Sequence, residues 1–251
     1  MSDQQKNEEI KPHIGLSKGQ VPERVLVCGD PARAEWISTL LEKAKPLAKK
    51  REYHSYQGTY NGVPVLVMSH GVGCPGAMIG FQELADLGAR VMIRVGTAGG
   101  LQDHQSIGDL LVAHSAARQE GVTPLMVPVE VPAVADLELT LQLKETLLKH
   151  QARVHVGACV TSDVFYPGVL DTGLAKFRDS KLQGVEMELS GLYILGLLRG
   201  IRTAGVCVLD GNPLKWDTGE YDPSGKKMKE GLERAVKGAL QTLADAEVDA
   251  R

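Results

Sequence analysis

Residues 63–100 read VPVLVMSHGVGCPGAMIGFQELADLGARVMIRVGTAGG, and their pattern decides the fold. Val63–Met68 is a short, almost wholly apolar run closed by Ser69, His70 and Gly71. Gly76–Leu87 then places apolar residues three and four apart, the period of an amphipathic helix. Val91–Val95 is apolar again and ends on Gly96. A strand, a helix and a strand in that order make a parallel unit whose strands are buried on both faces.

The pattern repeats in both directions. Apolar runs recur at Val25–Cys28, Leu110–Ala113, Val156–Val160, Gly184–Met187 and Gly205–Leu209, most of them followed by Gly, Ser or Asp. Helix-period segments lie at Ala32–Leu41, Leu137–His150, Leu189–Leu198 and Lys227–Ala246. The expected fold is α/β, a three-layer sandwich with a central mixed, largely parallel sheet flanked by helices. With 251 residues, 43% of them hydrophobic, the chain can bury one sizeable core. Residues 12–251 are therefore expected to form a single domain behind a flexible polar tail at 1–11.

Charge and composition narrow the function. Twenty-eight Lys plus Arg against 31 Asp plus Glu give a net charge of -3, with no basic run to track a phosphate backbone, so no nucleic-acid partner is expected. The first residues are polar and acidic, unlike a leader, and no apolar run approaches the roughly 20 residues that span a bilayer. A cytoplasmic protein without membrane contact is expected. Cys28, Cys74, Cys159 and Cys207 are scattered without metal-knuckle or redox spacing, so they read as buried reduced thiols, and no metal site is expected.

In an open α/β sheet, ligands gather at the carboxyl ends of strands. Here those ends carry Gly29-Asp30-Pro31-Ala32-Arg33, Arg94-Val95-Gly96-Thr97, Thr161 to Pro167 with Phe165 and Tyr166, Glu186-Met187-Glu188, and Asp210-Gly211-Asn212-Pro213. Glycines, arginines, hydroxyls, carboxylates and an aromatic pair suit an anion beside a sugar-like group and a flat one. Gly71-Val72-Gly73-Cys74-Pro75-Gly76 fits the dinucleotide pattern, but the acidic residue wanted about 20 positions later is replaced by Arg94 to Thr97, which argues against that use. Arg33 opens a helix, where free N–H groups and the dipole favour an anion. Arg94 interrupts an apolar strand, so its charge needs a partner. If the strand persists, Glu186 and Glu188 share one face; they fit either ribose hydroxyls or a solvated helix start. Asp210, at a strand end, is either a turn residue or a carboxyl kept protonated by burial for use as a general acid.

Taken together, Gly29-Asp30-Pro31-x-Arg33, Arg51-Glu52-Tyr53, Arg94-x-Gly96-Thr97-x-Gly99, Ser162-Asp163-x-Phe165-Tyr166-Pro167, Val185-Glu186-Met187-Glu188 and Asp210 to Asp217 resemble the trimeric and hexameric nucleoside phosphorylase superfamily. That family includes bacterial purine nucleoside phosphorylase, uridine phosphorylase and the purine enzymes of apicomplexan parasites. The likeness runs from His13 to the C-terminal helix. It implies that Gly29, Arg33, Arg94 and Thr97 bind phosphate, joined by Arg51 from a neighbouring subunit. It implies that His13 reaches the ribose 5′-hydroxyl across the same interface, that Glu188 holds the 2′- and 3′-hydroxyls with Glu186 close by, and that Met187 packs on the sugar. Phe165 and Tyr166 would meet the base, Trp216 would lie on a loop closing over it, and Asp210 would serve N7 of a purine. The implied partners are a nucleoside, inorganic phosphate as co-substrate, and further copies of the chain in a trimer of dimers; no metal or organic cofactor is implied.

Uridine phosphorylases of this superfamily place Gln and Arg shortly after Phe-Tyr-Pro-Gly to read uracil. This chain has Val169 and Asp171 there. A uracil would leave its polar atoms unpaired, so purine nucleosides such as inosine and guanosine are the expected substrates. A uridine phosphorylase or an enzyme also accepting uridine is the alternative. A hydrolytic nucleosidase has no use for Arg33, Arg51 and Arg94, and an inactive nucleoside-binding protein none for a candidate acid.

Overall fold

In the computed structural model, which describes residues 10–248, each run expected to be a strand is one. In chain order the elements are β1 (Arg24–Cys28), α1 (Pro31–Ser38), β2 (Glu42–Lys50), β3 (Tyr53–Tyr60), β4 (Val63–Ser69), α2 (Cys74–Asp86), β5 (Val91–Gly100), β6 (Leu110–Gln119), α3 (Thr123–Met126), β7 (Ala133–Val134), α4 (Leu137–Lys149), β8 (Val154–Ser162), α5 (Leu174–Asp179), β9 (Gly184–Glu186), α6 (Leu189–Arg199), β10 (Arg202–Gly211) and α7 (Lys226–Asp245). Local chemistry sets several boundaries. Asp30 caps α1 by accepting the Ala32 N–H at 2.8 Å, with Pro31 in the first turn, and Asp136 caps α4 through the Leu139 N–H at 2.8 Å.

Side-chain alternation along the central strands sorts the core into two layers. Val25, Val27, Leu66 and Met68 pack with α2 and α6 on one face, while Leu26, Cys28, Val65 and Val67 pack with α1, α4 and α7 on the other. The sheet is mixed and flanked by helices on both faces, as expected. β1 lies parallel between β4 and β5, and β3 and β2 continue past β4 as antiparallel neighbours.

The strand that organises the sheet is β5. Its first half pairs with β1, up to Val27 opposite Arg94, and its last two residues, Gly99 and Gly100, pair with Val185 and Gly184 of β9. Its other edge pairs with β10 along its length. Because β10 also pairs with β6, β6 with β8 and β8 with β9, five strands close into a ring at this end of the sheet. One edge of β5 thus changes partner between residues 94 and 99, and the gap opens a crevice at the carboxyl ends of β1 and β4, where such sheets take ligands.

Three features differ from the sequence reading. The β2–β3 hairpin lies in a stretch that gave no strand signal: Lys43, Lys45, Lys49 and Lys50 lie along a mostly exposed edge strand, where charge discourages further pairing. β9 stops at Glu186, so Met187 and Glu188 belong to the turn into α6 and not to a persisting strand. Residues 1–9 of the expected tail and 249–251 lie outside the described residues, and Lys11, at the tail's end, is already tied to Asp86 at 3.0 Å. No described helix is long and apolar enough to cross a membrane. The four cysteines are buried and free, as expected.

The layer formed by α6 tolerates no added volume where it crosses β10. A Cβ at Gly205 would overlap Leu189 Cδ2 and come within 3.0 Å of Tyr193 Oη, both in fully buried side chains. Gly205→Ala is expected to lower stability by about 1–3 kcal/mol, read as a lower urea midpoint at unchanged slope.

Candidate active site

The crevice is a cavity of about 670 Å³. At one end it is built for an anion. The β1–α1 loop supplies Gly29 and, in the first turn of α1, Arg33; the β4–α2 loop supplies Gly71 and Val72; β5 supplies Arg94 and Thr97. Arg33 makes no hydrogen bond or ion pair with any described residue, so its guanidinium is available to a ligand.

Arg94 is the opposite case, since only about 4% of it is exposed and its charge is already matched. Nη2 donates to Glu188, Nη1 lies 3.6 Å from Glu186 Oε2 and donates to Cys207 Sγ at 3.4 Å. Burial opposes the charge, but Glu188, then Cys207 and Glu186, outweigh it and hold the guanidinium protonated beyond its ordinary range. The side chain folds back over the next residue on its own face of β5. A Cβ at Gly96 would collide with Arg94 Nη1, which explains the glycine in Arg94-x-Gly96.

The two carboxylates have different duties. Glu186 Oε2 accepts the Glu188 and Leu189 N–H groups, each at 2.8 Å, and Oε1 accepts the Thr161 hydroxyl at 2.5 Å. It borders the cavity with its side chain wholly buried, and it fixes the first turn of α6; burial raises its pKa, against Arg94. Glu188 accepts the Gly73 N–H at 2.6 Å and faces the cavity beside Met187. The glycine loop that resembles a dinucleotide motif therefore spends this N–H on a carboxylate.

The far end is apolar and aromatic. Phe165 contacts Tyr166 edge-on at 4.9 Å between centroids and Trp216 at 5.1 Å, and Trp216 rests on Tyr221 at 4.9 Å. Trp216 Nε1 is buried without a partner among the described residues. Asp210 closes this end where β10 shifts register, and it is about 7% exposed. Burial lifts its pKa to about 7, against smaller opposing effects from its own backbone, the Thr97 hydroxyl and Arg33. A carboxyl in that state can give a proton near neutral pH.

Eleven of the thirteen residues singled out from sequence thus border one cavity: Gly29, Arg33, Arg94, Thr97, Phe165, Tyr166, Glu186, Met187, Glu188, Asp210 and Trp216. His13 and Arg51 do not. Val169 is fully exposed and Asp171 turns to the Gly173 N–H at 3.0 Å, so neither lines the cavity. Two groups were given no role from the sequence. His70 is buried below the Gly29 loop, where burial and then Arg94 hold it neutral, and neither ring nitrogen has a partner among the described residues. Glu120 accepts the Ser190 hydroxyl at 3.2 Å and extends the polar network behind Glu186. A single polar residue at the end of an apolar run was the available signal for His70, and nothing local marked Glu120.

Residues 23–245 match the model of the phosphorylase superfamily. The chain is 39% identical over 238 residues to a purine nucleoside phosphorylase of Plasmodium vivax, covering 94% of this chain and 96% of that one. It is 38% identical to a uridine phosphorylase of Thermococcus kodakarensis, covering 89% and 84%. Among solved structures it resembles a purine nucleoside phosphorylase from Toxoplasma gondii in complex with immucillin-H, with a TM-score of 0.91 and 38% identity over 96% of this chain and 97% of that one.

Asp210 gives the site a measurable signature. Its carboxyl carbon should titrate by NMR with a midpoint near 7, and Thr97→Val, by removing a hydrogen bond that favours the carboxylate, should move that midpoint upward. Between its ordinary 3.8 and about 7 the folded chain binds more protons than the unfolded one, so this group's contribution to stability is lost as pH rises through that window.

Proposed function

The chain belongs to the phosphorylase superfamily, and from that membership we propose that it is a nucleoside phosphorylase acting on purine nucleosides such as inosine and guanosine. The observation that carries the reading is the juxtaposition on one cavity wall of the unpaired Arg33 with the buried, protonatable Asp210. Phosphate is held by Gly29, Arg33, Arg94 and Thr97. Glu188 takes the ribose hydroxyls, Met187 packs on the sugar, and Phe165, Tyr166 and Trp216 enclose the base.

The bond from the anomeric carbon to the base nitrogen breaks with both electrons leaving on the base, and Asp210 gives its proton to, or hydrogen-bonds, N7. The ribose becomes cation-like, the adjacent phosphate dianion stabilises it, and a phosphate oxygen then bonds to the anomeric carbon. Free base and ribose 1-phosphate result, as suits nucleoside salvage in the cytoplasm. The reaction calls for no metal or organic cofactor. Uridine is the second reading, favoured by relatives such as the Thermococcus kodakarensis enzyme. Against it, the positions used to read uracil hold Val169 and Asp171, outside the cavity.

His13 and Arg51 complete the site from a neighbouring copy, to the ribose 5′-hydroxyl and the phosphate, which makes the working unit an oligomer, a trimer of dimers. Two observations support this: neither residue borders its own chain's cavity, and Arg51 makes no hydrogen bond or ion pair with a described residue.

Assayed with inosine, guanosine, adenosine and uridine, with and without phosphate, the enzyme should release base and ribose 1-phosphate from inosine or guanosine in phosphate only. Release without phosphate would make it a hydrolase, and a preference for uridine would reverse the base assignment. Asp210→Asn should lower kcat on inosine by about 10²–10⁴-fold. Mixed oligomers of Arg51→Ala and Asp210→Asn chains, assembled by unfolding and refolding together, should regain activity that neither variant has alone, because some of their sites hold both native residues; no regain would place Arg51 outside a shared site.

A further inference from the structure

His13 sits on a strap, residues 11–16, and one carboxylate pins that strap to α2. Glu83, in the last turn of α2 and about 7% exposed, accepts the His13 N–H at 3.2 and 3.3 Å and the Ile14 N–H at 2.9 Å. Its Oε1 also meets His13 Nδ1 at 2.6 Å. The strap is anchored on both sides of the histidine, by Lys11 on Asp86 at 3.0 Å and by the fully buried Ile14 and Leu16. Only the ring reaches outward: the His13 side chain is 41% exposed, and Nε2 has no partner among the described residues.

The chemistry of the contact fixes the ring. An ionised carboxylate only accepts hydrogen bonds, and two backbone N–H groups already aim at Glu83, so Nδ1 must carry the proton it shares with Oε1. A neutral imidazole bonded in this way has a bare Nε2, an acceptor. The N–H contacts hold the strap's backbone, whereas the Nδ1 contact acts on the ring, setting its orientation and its proton arrangement.

We propose that Glu83 is a positioning and specificity-determining residue, holding His13 as the tautomer whose outward Nε2 accepts a hydrogen bond and so selecting nucleosides with a donor at the 5′ position. This rests on the reading of His13 as the group that meets the ribose 5′-hydroxyl. A nucleoside with hydrogen or a thioether at the 5′ position offers Nε2 nothing and gains nothing from the arrangement. Glu83 acts through His13 and touches no substrate.

The test pairs a spectroscopic readout with a substrate comparison. In the wild-type enzyme, at a pH where the ring's ¹⁵N shifts no longer change on adding base, ¹⁵N-correlated NMR should show His13 protonated at Nδ1 and bare at Nε2. In Glu83→Gln the amide oxygen can still accept the strap's N–H groups while its NH₂ faces Nδ1, so the ring proton should move to Nε2. The same variant should lose roughly tenfold in kcat/KM for inosine, whose 5′-hydroxyl must then turn to accept from Nε2–H instead of donating to it, and little for 5′-deoxyinosine. His13→Ala should show the same selective loss, and adding Glu83→Gln to it should cost nothing further. A wild-type His13 protonated at Nε2, or an equal loss on both substrates in Glu83→Gln, overturns the proposal and leaves Glu83 as a structural tether. If His13→Ala cleaves inosine at the wild-type rate, the role of His13 in the ribose site is wrong, while the tautomer spectrum still decides what Glu83 does to the ring.

Discussion

A guanidinium in the middle of an apolar strand is the constraint around which this structure is arranged. Arg94 loses its water on entering β5, at a cost of several kcal/mol that only well-placed carboxylates can offset. Glu188 and Glu186 supply them from the turn where β9 stops and α6 starts. The network spreads from there. The Thr161 hydroxyl donates to Glu186 and accepts the Ser190 N–H at 2.9 Å, and the Ser190 hydroxyl reaches Glu120, which accepts the Val122 and Thr123 N–H groups at 2.7 and 2.9 Å. One buried cation thereby locks together β5, β8, β9, α6 and the loop after β6.

The network also gives the cavity its electrical character. Two buried carboxylates, Glu186 and Glu188, share one buried arginine, and a third, Glu120, lies behind them across Ser190. Glu186 responds with a raised pKa, while Glu188 keeps a direct pairing to Arg94 and an N–H from Gly73. An anion beside Arg33 would meet a guanidinium already engaged by Glu188, so its binding and the set of that carboxylate would be linked through a single group. At the far end no cation or N–H group comes close enough to offset the desolvation of Asp210, and burial dominates its behaviour. Asp210 differs from Glu186 and Glu188 in having no ion pair, and the weaker pull of Arg33 leaves burial in control of its carboxyl.

Most of this was legible in the chain itself. Apolar runs with polar strand ends located the central strands, and the residues at those ends meet in one cavity because parallel strands deliver their carboxyl ends to the same side. What could not be read depends on long-range pairing. The sequence Glu42–Lys50 is too rich in lysine to look like a strand and becomes one only as the outer neighbour of β3. Nothing near Gly99 and Gly100 announces that they pair with β9 and close the ring. His70 and Glu120 are polar residues whose significance comes from burial, which is set by the whole fold. The expectation that Glu186 and Glu188 share a strand face failed for a local reason: two N–H groups of α6 needed an acceptor, and Glu186 became it.

Arg51 and His13, the two residues that do not border the cavity, are held by unusual local devices. Arg51 lies between β2 and β3 with φ of 51, a left-handed conformation that a side chain with a Cβ enters at some cost and that turns usually assign to glycine or asparagine. His13 is carried by a strap with two anchors and a carboxylate beneath it. The strap buries Ile14 and Leu16 in the core, but the two side chains themselves, Arg51 and the His13 ring, add nothing to it. Local strain and dedicated hydrogen bonds at exposed positions are explained more readily by presentation to something outside the chain than by folding. The second copy proposed above, borrowing both residues, would satisfy this, and it would make the β2–β3 hairpin and the strap parts of one site completed between chains.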